Sequence, residues 1–173
     1  RARALEAEGR NIIHMEVGEP DFQTPEPIIA AARASIESGR VFYTPALGLP
    51  ELRRAIANFY QIRYGISIPA ARIAVTAGAS GALLLALACL TEPGSEWLLS
   101  DPGYPCNRHF IRSFEGIPIG IPVGPESNFQ PTPATLEGHW TERSAGALLA
   151  SPANPTGSML RNDQLAAISE FVR

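Results

Sequence analysis

The second half of the chain alternates short apolar runs with segments of helical pattern, and this alternation limits the folds open to it. Ile73-Ala74-Val75-Thr76, Trp97-Leu98-Leu99, Ile117 to Val123 and Ala147-Leu148-Leu149-Ala150 read as strands. Between and after them, Ala79 to Leu90, Tyr104 to Phe114, Pro133 to about Arg143 and Asp163 to Val172 read as helices, with Thr132 and Asn162 as their caps in the last two. Strands joined through helices run parallel, and strands apolar along their whole length are covered on both faces. The expected fold class is therefore α/β, a mostly parallel sheet covered by helices. Pro118, Gly120 and Pro122 place the Ile117 run at an edge, or make it irregular, because proline donates nothing to a ladder. Ala79 to Leu90 is apolar all round, the pattern of a helix buried in a layered domain.

The first half reads differently. A charged helical segment through Glu8 stops at Gly9, Ile12 to Val17 is extended, and Gly18 to Phe22 is rich in turn residues. Pro27 to Ser38 and Leu49 to Tyr64 carry helical periodicity and end at Gly39 and Gly65. The segment from Val41 to Gly48 between them is a loop holding Tyr43.

Composition excludes several functions. A formal net charge of -3 with no basic run gives no surface for nucleic acid or for anionic membrane. The longest wholly apolar run, Ala82 to Leu90, is too short to span a bilayer. Cys89 and Cys106 form no CxxC or metal-type spacing, and His14, His109 and His139 are dispersed, so no metal site is expected. Unpatterned thiols suit a reducing, cytoplasmic setting and packing roles. The chain lacks an initiator methionine and a signal peptide, and is expected to begin inside a longer protein. It also contains no lysine: all 14 basic residues apart from histidine are arginine.

Chemistry concentrates where strands end. Thr76-Ala77-Gly78-Ala79-Ser80-Gly81 joins a strand to a helix, where small residues let backbone amides and the helix dipole meet an anion. The same stretch also serves as a tight packing turn, or as a degenerate dinucleotide fingerprint with Asp101 as the ribose carboxylate. Asp101-Pro102-Gly103-Tyr104-Pro105 follows the next strand, and Tyr104 there either stacks on a flat ligand or covers the core. Ser151-Pro152-Ala153-Asn154-Pro155-Thr156-Gly157 follows the last strand and either aims an amide at a ligand or forms a plain turn.

Taken in order, these stretches resemble the class I/II, aspartate-aminotransferase-like family of pyridoxal-phosphate (PLP) enzymes. Gly18-Glu19-Pro20-Asp21-Phe22-Gln23-Thr24-Pro25 and Tyr43-Thr44-Pro45 with Gly48, Glu51, Leu52 and Arg53 extend the resemblance over essentially the whole chain. It implies an incomplete three-layer αβα large domain over residues 26–173, preceded by a segment, 1–25, of the small domain and substrate loop. It implies that Gly78, Ala79 and Ser80 bind the cofactor phosphate, that Tyr104 stacks on its ring, and that Asn154 donates to its phenolic oxygen. Tyr43 resembles a tyrosine reaching the partner subunit's cofactor phosphate, and Gly18 a backbone position near the substrate carboxylate. Cis peptides are expected at Asp101–Pro102 and Asn154–Pro155. The implied reaction is transamination between an L-amino acid and a 2-oxo acid by a homodimer, with a carbon–sulfur lyase of the same fold or a non-catalytic nucleotide module as alternatives. The family's ring-nitrogen aspartate, cofactor-anchoring lysine and carboxylate-binding arginine all fall beyond Arg173, so this chain alone is expected to be inactive.

Overall fold

The computed structural model describes residues 1–14, 18, 20 and 22–172. These form two compact units, Arg1–Thr44 and Pro45–Arg173. The first holds helices α1 (Ala2–Ala7) and α2 (Glu26–Glu37), neither with a buried residue. Gly9 follows α1 at φ +86°, and His14 Nε2 lies 2.7 Å from Glu6 Oε1. The expected extended piece at 12–17 falls partly outside the described residues, as do Glu16 and Glu19.

The second unit opens with α3 (Pro50–Tyr64), started by proline at its first position and closed by Gly65 in the left-handed conformation. There follow α4 (Gly78–Leu90), β1 (Glu96–Asp101), α5 (Pro105–Arg112), β2 (Ile117–Pro122), α6 (Pro133–Glu137), β3 (Ser144–Leu148) and α7 (Asn162–Phe171). The strands form one parallel sheet in the order β2-β1-β3. The proline-bearing β2 is therefore an edge strand, where a missing donor is tolerated.

Alternation along central β1 divides the core. Leu98 faces one side, in a cluster with Ile121, Val123, Leu136, Leu160 and Ile168 from β2, α6, α7 and the segments beside them. Trp97 and Leu99 face the other, with Leu87 of α4 and Ile111 of α5. Helices thus cover both faces, giving the three-layer αβα arrangement. Full burial of Leu98, Ile111, Ile121 and Leu136 stabilises the unit by about 1.5–3 kcal/mol each. At the amino end of β1 the buried Glu96 carboxylate accepts from Thr141 Oγ1 at 2.6 Å and pairs with Arg143. The Thr141 hydroxyl, and then Arg143, hold its pKa below the ordinary glutamate range against the opposing effect of burial.

Several expectations are corrected. The Ile73–Thr76 run joins no ladder among the described residues. Its backbone is engaged instead by Arg53 Nε, which donates to the Ile73 carbonyl at 2.7 Å, and by the Val75 N–H, which donates to Leu47 at 3.0 Å. The helix expected to reach Arg143 stops at Glu137, with Gly138 as its C-cap. The residues beyond turn so that Trp140 meets Phe171 edge-on and Thr141 and Arg143 meet Glu96. Asn162 is the first helical residue of α7, and Arg161 takes the cap position, its N–H donating to Gln164 Oε1. Helix α4 is not enclosed: only Leu87 is buried, while Leu85 and Leu90 are 50% and 63% exposed. Leu87 packs against Trp97 and Leu99 of β1 and Ile111 of α5, which leaves much of a helix that is apolar all round uncovered among the described residues.

Candidate functional site

The chain leaves β1 through α5 to reach β2, then passes through α6 to reach β3 on the opposite side of β1. In open α/β sheets such a reversal parts the loops at the carboxyl ends of the two inner strands and opens a crevice there. The structure has a pocket at this point, lined by Leu99, Pro102 and Tyr104 from the β1 side and by Leu148, Ala153 and Asn154 from the β3 side.

Tyr104 arrives by way of a tight turn. Asp101–Pro102 is cis, and a Cβ at Gly103 would strike the Ser100 carbonyl, so only glycine closes this turn. Tyr104 is then the N-cap of α5, with Pro105 fixing the first helical position. Tyr104 is 38% exposed and lines the pocket. A hydrogen bond with the Cys106 side chain, aided by electrostatic interaction with that thiol and by burial, holds the Tyr104 phenol above its ordinary pKa. Cys106, expected only to pack, is thus the neighbour that raises this phenol.

Asn154 sits in a loop fastened by its own backbone. The Ala153 N–H donates to the Ser158 carbonyl at 2.8 Å and the Gly157 N–H to the Ala153 carbonyl at 2.7 Å. Ser151 Oγ accepts from the Leu160 N–H at 2.9 Å. Asn154–Pro155 is cis as expected, and Ser151–Pro152 is cis as well, which the sequence reading did not anticipate. The Asn154 amide makes no hydrogen bond among the described residues, so its donors are available to a ligand.

Gly78, Ala79 and Ser80 form the first turn of α4 and are exposed. Gly78 has φ +72°, a conformation open to glycine. No side chain caps this turn and it holds no acidic residue; the Gly78 N–H donates to the Thr76 carbonyl at 2.9 Å, so the amides that follow it are the ones left to face an anion. These residues are not among those lining the β1–β3 pocket. Tyr43 and Gly18 belong to the other unit, where both are exposed.

Two residues of the pocket escaped the sequence reading. Asn107 and Arg108 line it from the first turn of α5. Asn107 Oδ1 is buried there with no partner among the described residues. Arg108 lies 3.7 Å from Asp101 Oδ1. Their spacing after Tyr104, on the same helical turn, was the available signal.

Among the described residues no group of His, Cys, Asp and Glu could hold a metal ion, and no helix is long and apolar enough to cross a membrane.

Comparison with known proteins identifies the family. The family model described as aminotransferase class I and II matches residues 10–173. The chain is 38% identical over 161 residues to the valine–pyruvate aminotransferase of Mycobacterium tuberculosis, covering 93% of this chain and 41% of that protein. It is 36% identical over 172 residues to the aspartate/prephenate aminotransferase of Cereibacter sphaeroides, covering 99% of this chain and 43% of that protein. Among solved structures, the aspartate aminotransferase from Thermus thermophilus with maleate superposes at a TM-score of 0.93 and 30% identity, over 99% of this chain and 45% of that one. The chain thus spans less than half the length of these relatives. By its matched residues and its fold, it belongs to the class I and II aminotransferase family.

Proposed function

We propose that the protein containing this chain transfers an amino group between an L-amino acid and a 2-oxo acid using PLP, and that this chain supplies much of the cofactor's seat. The observation that carries the reading is the meeting of Tyr104 and Asn154 in one crevice at the switch point of the sheet. The donor set suits the group. An aromatic face matches a flat pyridine ring, a free amide matches a phenolic oxygen, and the uncapped first turn of α4 matches a phosphate. When bound, PLP supplies an electron sink for the charge that develops at the substrate Cα.

In this reading Tyr104 holds the ring flat and excludes water from one face. Asn154 donates to the phenolic oxygen and favours its anionic form. Gly78, Ala79 and Ser80 bind the phosphate through backbone amides and the Ser80 hydroxyl. Gly18 lies near the substrate carboxylate, and Tyr43, fully exposed in this chain, crosses a dimer interface to the partner's phosphate site. Residues 1–25 then belong to a small domain and 26–173 to the large one, in a homodimer working in the cytoplasm. The proton-moving amine must come from outside this chain, which has no lysine.

The test uses the full-length protein. It should bind PLP with a visible absorption band, bleach that band on addition of an amino acid, and release the matching 2-oxo acid. A protein that ignores PLP and instead binds NAD, or that releases a thiol together with ammonia, would replace this reading with the nucleotide module or the lyase.

A further inference from the structure

The loop carrying Asn154 is held at both ends by one side chain from elsewhere in the sequence. Gln130 lies between β2 and α6 and is 1% exposed. Its Nε2 donates to the Ala150 carbonyl at 3.1 Å and to the Ser158 carbonyl at 3.0 Å, with Ser158 Oγ at 3.3 Å. Ala150 ends the segment that leaves β3, and Ser158 is the first residue after the 151–157 loop. A primary amide has two N–H groups, the number needed to join two carbonyls. Its other atom, Oε1, is buried without a partner among the described residues. A buried amide with an unmet acceptor is costly, so packing alone favours an apolar residue at this position. What only the amide provides is a fixed span between the two ends of the loop.

We propose that Gln130 is a positioning residue of the cofactor site: by tying Ala150 to Ser158 it sets where Asn154 presents its amide. This inference rests on the PLP reading and adds to it a residue outside the crevice. It involves no contact between Gln130 and substrate or cofactor.

The experiment compares Gln130→Met, Asn154→Ala and the double variant in the full-length, PLP-loaded protein. Methionine keeps length and packing and removes both donors. The readouts are the pH titration of the visible band of bound cofactor and the melting temperature. Asn154→Ala should move the titration midpoint upward, since a donor lost from the phenolic oxygen disfavours its anion. Gln130→Met should move it the same way, by about one unit, a tenfold change in the proton equilibrium. The double variant should move no further than Asn154→Ala, because both changes remove one interaction. A Gln130→Met protein that melts lower but titrates like the wild type, or a shift that adds in full to that of Asn154→Ala, would overturn the proposal and leave Gln130 a scaffold residue. An unchanged titration in Asn154→Ala would overturn the phenolic contact itself, and this inference with it. Should Gln130→Met fail to fold, Gln130→Asn carries the same expectation, since its amide is one methylene too short to reach both carbonyls.

Discussion

Tyr104 and Asn154 stand 50 residues apart in sequence and line one pocket, Tyr104 from the turn after β1 and Asn154 from the loop after β3. They meet because the chain crosses β1 on its way from β2 to β3, so the carboxyl ends of β1 and β3 become neighbours. An aromatic side chain at the end of the central strand and a free amide donor beyond β3 are thereby brought to one crevice.

Replacing Tyr104 tests the stacking half of the site. Tyr104→Ala in the full-length protein should weaken PLP binding by about 2- to 10-fold, the worth of an aromatic contact of roughly 0.5–1.5 kcal/mol. Tyr104→Phe should bind nearly as the wild type does. Equilibrium titration of the cofactor absorbance reads both, and equal losses in the two variants would show that the hydroxyl matters more than the ring.

The missing amine gives a chemical test. After incubation of this chain with PLP and borohydride reduction, mass spectrometry should find no labelled side chain, because the sequence has no lysine. The full-length protein treated likewise should carry one label, outside residues 1–173. A reduced adduct on a side chain of this segment would contradict the proposed division of roles.

The core clusters predict stability. Leu98 is wholly buried at the centre of β1. Leu98→Ala should cost about 2–5 kcal/mol in the full-length protein, read from urea unfolding. A cost below about 1 kcal/mol would show that the β1 core is not packed as described.

Glu96 predicts an acid limb. Its folded pKa lies below the ordinary glutamate value of about 4.3, chiefly through the Thr141 hydroxyl and Arg143. The stabilisation is therefore complete above that value and is lost as the pH falls through the lowered folded pKa. Glu96→Gln should flatten this part of the stability–pH curve while the neutral region keeps its shape. Urea midpoints measured down the acid range test this, and an unchanged acid slope would remove Glu96 as its source.

The sequence made β1 and β2 legible because each holds a bounded apolar run, and Pro118 and Pro122 marked β2 as an edge; β3 runs Ser144–Leu148, earlier than the expected Ala147–Ala150, because its first residues are small or polar and carry no apolar signal. It misled at Ile73–Thr76, where a β-branched run has no strand beside it among the described residues, since a ladder depends on a neighbour that local pattern does not reveal. It overextended α6, which stops at Glu137 with Gly138 as its C-cap. Tyr104 and Asn154 were each open to a plain turn or packing role, and only the ordered set of strand-end stretches singled them out. Asn107 and Arg108 read as ordinary helix residues. Gln130 had no local signal, because its importance lies in carbonyls 20 and 28 residues further along the chain.

A crystal structure of the full-length protein with PLP bound is the most direct measurement. The pyridine ring should lie against the Tyr104 ring, and Asn154 Nδ2 should sit about 2.7–3.2 Å from the phenolic oxygen. A cofactor bound away from the β1–β3 crevice, touching neither residue, would contradict the placement on which the functional reading depends.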